Sequence, residues 1–120
     1  HDKSHFVRAV LEGTAFALRD AQEIMKATSV RVTGGGMKNP VWRQIIADVL
    51  GVRVITVNTS EEGAAFGSAI LAAVGAGAFP SVEAATDRTV RETSVTKPKK
   101  SYDAAYARFR KLYPAAKGLV

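Results

Sequence analysis

Three adjacent glycines, Gly34, Gly35 and Gly36, are the residues of this 120-residue sequence best suited by type and spacing to chemistry. They lie between a β-like run and a helical one and are followed by Met37, Lys38, Asn39 and Pro40. Glycine lets a ligand touch bare backbone, and a helix N-terminus carries partial positive charge. A strand–glycine–helix unit can therefore hold a phosphate or a nucleotide. It can also be a tight turn that binds nothing, and at this level both readings stand. Two familiar phosphate-binding patterns are absent. There is no G-x-x-x-x-G-K-[ST], and Asn39 occupies the place of the last glycine in G-x-G-x-x-G. Asp20, Asp48, Glu61 and Glu62 are scattered over separate elements, so no paired carboxylates for acid–base work and no two-metal site are expected. No catalytic and no metal-binding residue is assigned. The chain has no cysteine, which excludes disulfides, thiolate-bound zinc and a cysteine nucleophile, and His1 and His5 are its only histidines.

The elements that must hold the glycines can be read from periodicity. Apolar positions at steps of three and four from Phe6 to Met25 predict a helix over 3–27 with two apolar stripes, wide enough for it to be well buried. Val30 and Val32 predict a strand over 29–33. Asn39 is a good N-cap with Pro40 at the first helical position, and Gly51 suits a C-cap, so a helix over 40–50 is expected. Its stripes are Val41, Ile45 and Val49, and beside them Trp42, Ile46 and Leu50, which assigns Trp42 to the core rather than to a stacking platform. A second strand covers 53–57. Thr59 and Glu62 have the spacing of a capping box for a small-residue helix from Gly63 to about Val74, expected to be buried, in which Gly63 and Gly67 allow close packing. Ser81 caps a short helix, Thr89–Thr96 is extended, Lys97–Lys100 is a solvated turn, and a last helix runs from Ser101 to Tyr113 with Pro114 after it.

Hydrophobic residues make up 47% and charged residues 23%, which describes a globular chain rather than a disordered one. The net charge of +6 is uneven. Residues 1–87 hold 8 Lys/Arg against 9 Asp/Glu, and residues 88–120 hold 9 against 2. Such a basic segment suits nucleic acid or an acidic partner, or is the solvated face of a terminal helix. No secretory signal is visible, the Ala- and Gly-rich stretch Gly63–Pro80 is short for a membrane span, and a cytoplasmic protein without a membrane partner is expected. The start, His1-Asp2-Lys3-Ser4-His5, runs straight into a helix and reads as a piece cut from a longer protein.

The run Thr33-Gly34-Gly35-Gly36-Met37-Lys38-Asn39-Pro40-Val41-Trp42-Arg43-Gln44, continuing Ile45-Ile46-Ala47-Asp48-Val49-Leu50-Gly51, resembles the adenosine motif of the FGGY carbohydrate kinases. His5–Gly13 resembles the end of a family signature, and Glu62–Ala69 the small-residue helix that follows the motif. Within the family, the GGG…WRQ…ADVLG form is most similar to xylulokinases, and gluconokinases share part of these blocks. The resemblance implies an α/β fold: the C-terminal half of an actin-like, ribonuclease-H-like ATPase, here a helix-rich fragment with helices packed on a small sheet. It implies that residues 1–120 form one domain, the nucleotide-binding part of a longer kinase whose N-terminal domain supplies the phosphate loop, the catalytic aspartate and the sugar site. That parent phosphorylates a sugar, D-xylulose first, with ATP and Mg²⁺, and could pair as a homodimer. Gly34, Gly35 and Gly36 would approach the nucleotide and Asn39 the adenine. The fragment alone would be inactive. The rival is a non-enzymatic module that binds nucleic acid or an acidic partner through residues 88–120, and nucleic acid is the less expected partner.

Overall fold

The computed structural model describes residues 2–118. Helix α1 spans Lys3–Met25 and is capped by Asp2, whose carboxylate accepts from the Ser4 and His5 amides at 2.9 and 3.3 Å. Strand β1 (Ser29–Val32) leads through a short 3-10 turn, Gly35–Lys38, into α2 (Pro40–Leu50). Strand β2 (Arg53–Val57), α3 (Gly63–Gly75), α4 (Val82–Thr89), β3 (Glu92–Thr96) and α5 (Asp103–Lys117) follow. The sheet has the order β1-β2-β3. β1 and β2 are parallel, with Ser29 opposite Arg53 and Val32 opposite Thr56, so α2 is the crossover of a β-α-β unit. β3 runs antiparallel to β2, with an irregularity at Thr56/Val57.

The caps of α2 are those its sequence predicts. Asn39 Oδ1 accepts from the Val41 and Trp42 amides at 2.9 and 3.4 Å, Pro40 starts the helix, and Gly51 ends it at φ 67°. Its inner face, Ile45, Ile46, Val49 and Leu50, is buried against Val54, Ala15, Phe16 and Tyr106. Phe16 of α1 meets Tyr106 and Phe109 of α5 at ring separations of 6.0 and 5.2 Å. Trp42 packs on this cluster and is half-buried, so its assignment to the core holds with part of the ring left open.

Five expectations need correction. Helix α1 is not well buried: only Ala15 and Phe16 are, while Phe6 and Ile24 are 77% and 84% exposed, because α2, and to a lesser degree α5, are its chief partners. Helix α3 likewise buries Ile70 alone, with Leu71 exposed, since α4 is its chief partner. Thr59 and Glu62 form no capping box. Glu62 precedes α3 without a side-chain cap bond, and Thr59 is buried in the turn after β2. Lys97–Lys100 is more than a solvated turn. The Lys99 and Lys100 amides donate to the buried Asp48 carboxylate at 2.6 and 3.3 Å, which also accepts from Gln44, so this segment is tied to α2. Pro114 lies inside α5 rather than after it.

Part of the basic segment is balanced internally: Arg110 lies 3.9 Å from Asp20 and 3.8 Å from Glu23 of α1. Among the described residues, no helix is long and apolar enough to cross a membrane.

Candidate functional site

Parallel strands joined by a helix bring both of their C-terminal ends to one side, and in open α/β sheets ligands collect there. The ends of β1 and β2 are register neighbours, so the turn after Val32 lies beside the turn after Val57. Ser60 joins the two turns. Its carbonyl accepts from the Gly34 amide at 2.6 Å. Its hydroxyl accepts from the Val57 amide at 2.8 Å and is placed to donate to the Val57 and Val32 carbonyls at 2.7 and 3.2 Å.

Gly34 has φ 99° and ψ 158°, a conformation essentially closed to residues with a side chain. Its carbonyl accepts from the Met37 amide at 3.0 Å, and the Gly36 carbonyl accepts from the Asn39 amide at 3.2 Å, which winds the turn into α2. Arg43, one turn into α2, reaches back and donates through Nη1 to the Met37 carbonyl. A Cβ on Gly36 would stand 3.7 Å from Trp42 Cδ1, whereas one on Gly35 would meet nothing within 4 Å. Gly63 admits the start of α3 beside β1, since a Cβ there would come within 3.1 Å of Thr33 Cγ2. Gly67 has no such neighbour, so close packing is confirmed for the first glycine of that pair only.

Between the two turns lies a polar cleft of about 410 Å³, whose wall includes Gly34, Lys38, Arg43, Asn58, Ser60 and Glu61. Lys38 and Glu61 face each other across it at 3.0 Å. Of the residues picked from the sequence, Gly34 lines the cleft. Gly35, Gly36 and Asn39 are exposed on the same turn but are not part of its wall, and the Asn39 oxygen is engaged in capping α2. The four carboxylates do not converge. Asp48 is a buried residue of α2 bonded to Gln44 and to the Lys99 and Lys100 amides, Asp20 accepts from Tyr106 Oη at 2.5 Å, Glu61 pairs with Lys38, and Glu62 lines the cleft. Among the described residues, no group of three or more His, Asp or Glu could hold a metal ion. A roomier cavity of about 630 Å³ between the ends of α1 and α5 is lined by Ile24, Tyr106 and Tyr113 and has no glycine turn beside it.

Lys38, Arg43, Asn58 and Ser60 are site residues that the motif alone does not single out. The signal was available. Once β1 and β2 are read as parallel neighbours, the segment 57–60 must lie against 33–36.

The profile described as the FGGY family of carbohydrate kinases, C-terminal domain, matches residues 1–76. The xylulose kinase of Bacillus subtilis is 34% identical over 99% of this chain and 26% of its own length. A solved structure described as a xyloylose kinase from Brucella ovis superposes with a TM-score of 0.83 at 34% identity, covering 100% of this chain and 26% of that one. A gluconate kinase from Lactobacillus acidophilus superposes with a TM-score of 0.66 at 26% identity, covering 99% of this chain and 24% of that one. The chain thus spans about a quarter of the length of the curated relatives it matches.

Proposed function

We propose a role that proceeds from the family: the chain belongs to the FGGY carbohydrate kinases, and within them it supplies the nucleotide-binding part of an enzyme that phosphorylates a sugar with ATP. Its fold is that of the C-terminal half of an actin-like ATPase, with helices on a small sheet, as the resemblance implied. The observation that carries the functional reading is the Gly34 turn. It opens beside a cleft at the C-terminal ends of two parallel strands, in the same residues that resemble the family's adenosine motif.

In this reading the backbone of Gly34, Gly35 and Gly36 lies under the nucleotide and Asn39 is near the adenine. The contribution to the reaction is positioning: a held nucleotide presents its γ-phosphoryl group in line with a sugar hydroxyl. The base and the sugar site belong to the rest of the polypeptide, the other three-quarters of a relative's length. Mg²⁺ would arrive with the ATP phosphates and neutralise their charge. D-xylulose is the proposed sugar, supported by the xylulose kinases that align over nearly the whole chain. Gluconate is the alternative, supported by the gluconate kinase neighbour.

The test is ADP release by the full-length gene product with ATP, Mg²⁺ and either D-xylulose or gluconate. Turnover of about 10 s⁻¹ with D-xylulose is expected, the middle of the enzymatic range. Turnover with gluconate alone would reassign the sugar, and no turnover with any sugar would overturn the kinase reading. Residues 1–120 alone are expected to release no ADP.

A further inference from the structure

Arg43 is half-buried on the wall of the cleft, and its electrostatics are unfinished. Nη1 is used on the Met37 carbonyl. Nε is buried and has no hydrogen-bond partner. Arg43 takes part in none of the ion pairs among the described residues, whereas the neighbouring cation Lys38 is paired with Glu61. A guanidinium carries a permanent charge and five N–H donors. Half-burying that charge with no counter-charge, and leaving a buried N–H unpaired, both cost free energy. An anion on the open side of the group would offset the charge.

We propose that Arg43 is an anion-binding residue of this cleft, taking a phosphate oxygen of the nucleotide through Nη2, the guanidinium nitrogen that is neither bonded to Met37 nor buried. The inference rests on the nucleotide reading above and gives it a residue that recognises charge. A charged guanidinium N–H makes a strong hydrogen bond to a phosphate oxygen, and Gly34 on the same wall lets the ligand come close. The bond to Met37 keeps the fork in place, so Arg43 shapes the glycine turn and reads the anion above it. Glu62, exposed and on the same cleft, opposes the incoming charge.

The experiment is a titration of the full-length protein with ATP, adenosine and pyrophosphate, for wild type and for Arg43→Gln, Arg43→Lys and Glu62→Gln. Arg43→Gln is expected to weaken ATP roughly ten- to a hundredfold, the worth of a charged hydrogen bond, and to change adenosine far less. Arg43→Lys, which keeps the charge, is expected to fall between Gln and wild type. Glu62→Gln is expected to tighten ATP roughly two- to fivefold and to leave adenosine unchanged. Equal losses of ATP and adenosine in Arg43→Gln would mean that the residue only holds the turn, and would overturn the proposal. If Arg43→Gln fails to fold, Arg43→Lys decides: ATP weakened with adenosine unchanged supports the proposal, and equal losses of the two, or no loss of ATP, overturn it. Wild type that binds pyrophosphate but not adenosine, with pyrophosphate lost in Arg43→Gln, would remove the nucleotide reading and leave the anion role standing. Binding of neither would overturn both.

Discussion

Gly34 and Gly35 are neighbours with different duties. Gly34 supplies a backbone angle that other residues do not reach without strain. Gly35 has an ordinary angle and open space around its Cα. Gly34→Ala is therefore expected to destabilise the full-length protein by roughly 1–3 kcal/mol, the cost of a sparsely populated backbone region. Gly35→Ala is expected to leave stability close to wild type. Denaturant melts of the two variants make the comparison, and equal midpoints would contradict the assignment of strain to Gly34. The sequence shows that a glycine turn stands here, but it does not say which glycine carries the strain. That depends on how the turn is pulled toward Ser60, a contact made across 26 residues of chain.

Helices announce themselves through local chemistry, and their burial does not. The cap of α2 by Asn39 and of α4 by Ser81 follow from residues within three positions of each other, so both are visible in the sequence. The burial expected for α1 and α3 depended on partners that the sequence does not name, and the apolar stripes of both are largely exposed. The contacts that fix α5 on α1 and α2 are also long-range. Arg19 donates to the Val49 carbonyl at 3.1 Å and to Asp103 at 2.7 Å while lying over the Tyr106 ring, and the Tyr106 hydroxyl donates to Asp20. Burial first, and then the hydrogen bond to Asp20, pushes the Tyr106 hydroxyl up to about 12. An unfolded tyrosine titrates near 10. Between these values the folded chain keeps a proton that the unfolded chain loses, so this stabilisation is complete below about pH 10 and declines as the pH rises toward about 12. Tyr102 shifts in the same direction, so the effect is shared. Melts at about pH 9 and about pH 11 are expected to show a stability loss that Tyr106→Phe reduces. An unchanged alkaline loss in Tyr106→Phe would contradict this account of the helix junction.

The described chain measures 56 by 30 by 23 Å with a radius of gyration of 17.8 Å. A compact domain of this length would have a radius of about 13.6 Å. The excess, the exposed Phe6, Val7 and Val10 of α1 and the open outer edge of β1 belong together. They leave an apolar helix face and a strand edge uncovered among the described residues, and the central claim, that this chain holds the nucleotide, is tested at the glycine turn. Isothermal titration of ATP into the full-length protein and its Gly35→Val variant tests that claim directly. A Cβ at Gly35 would meet nothing within 4 Å among the described residues, so the variant is expected to fold as wild type does, which an unchanged melting midpoint checks. Any loss of ATP then reports the ligand and not the fold. Wild type is expected to bind ATP with a dissociation constant between about 1 μM and about 1 mM, the span of ordinary enzyme substrates, and Gly35→Val to bind none. Equal affinity in the two proteins would contradict the placement of Gly35 under the nucleotide.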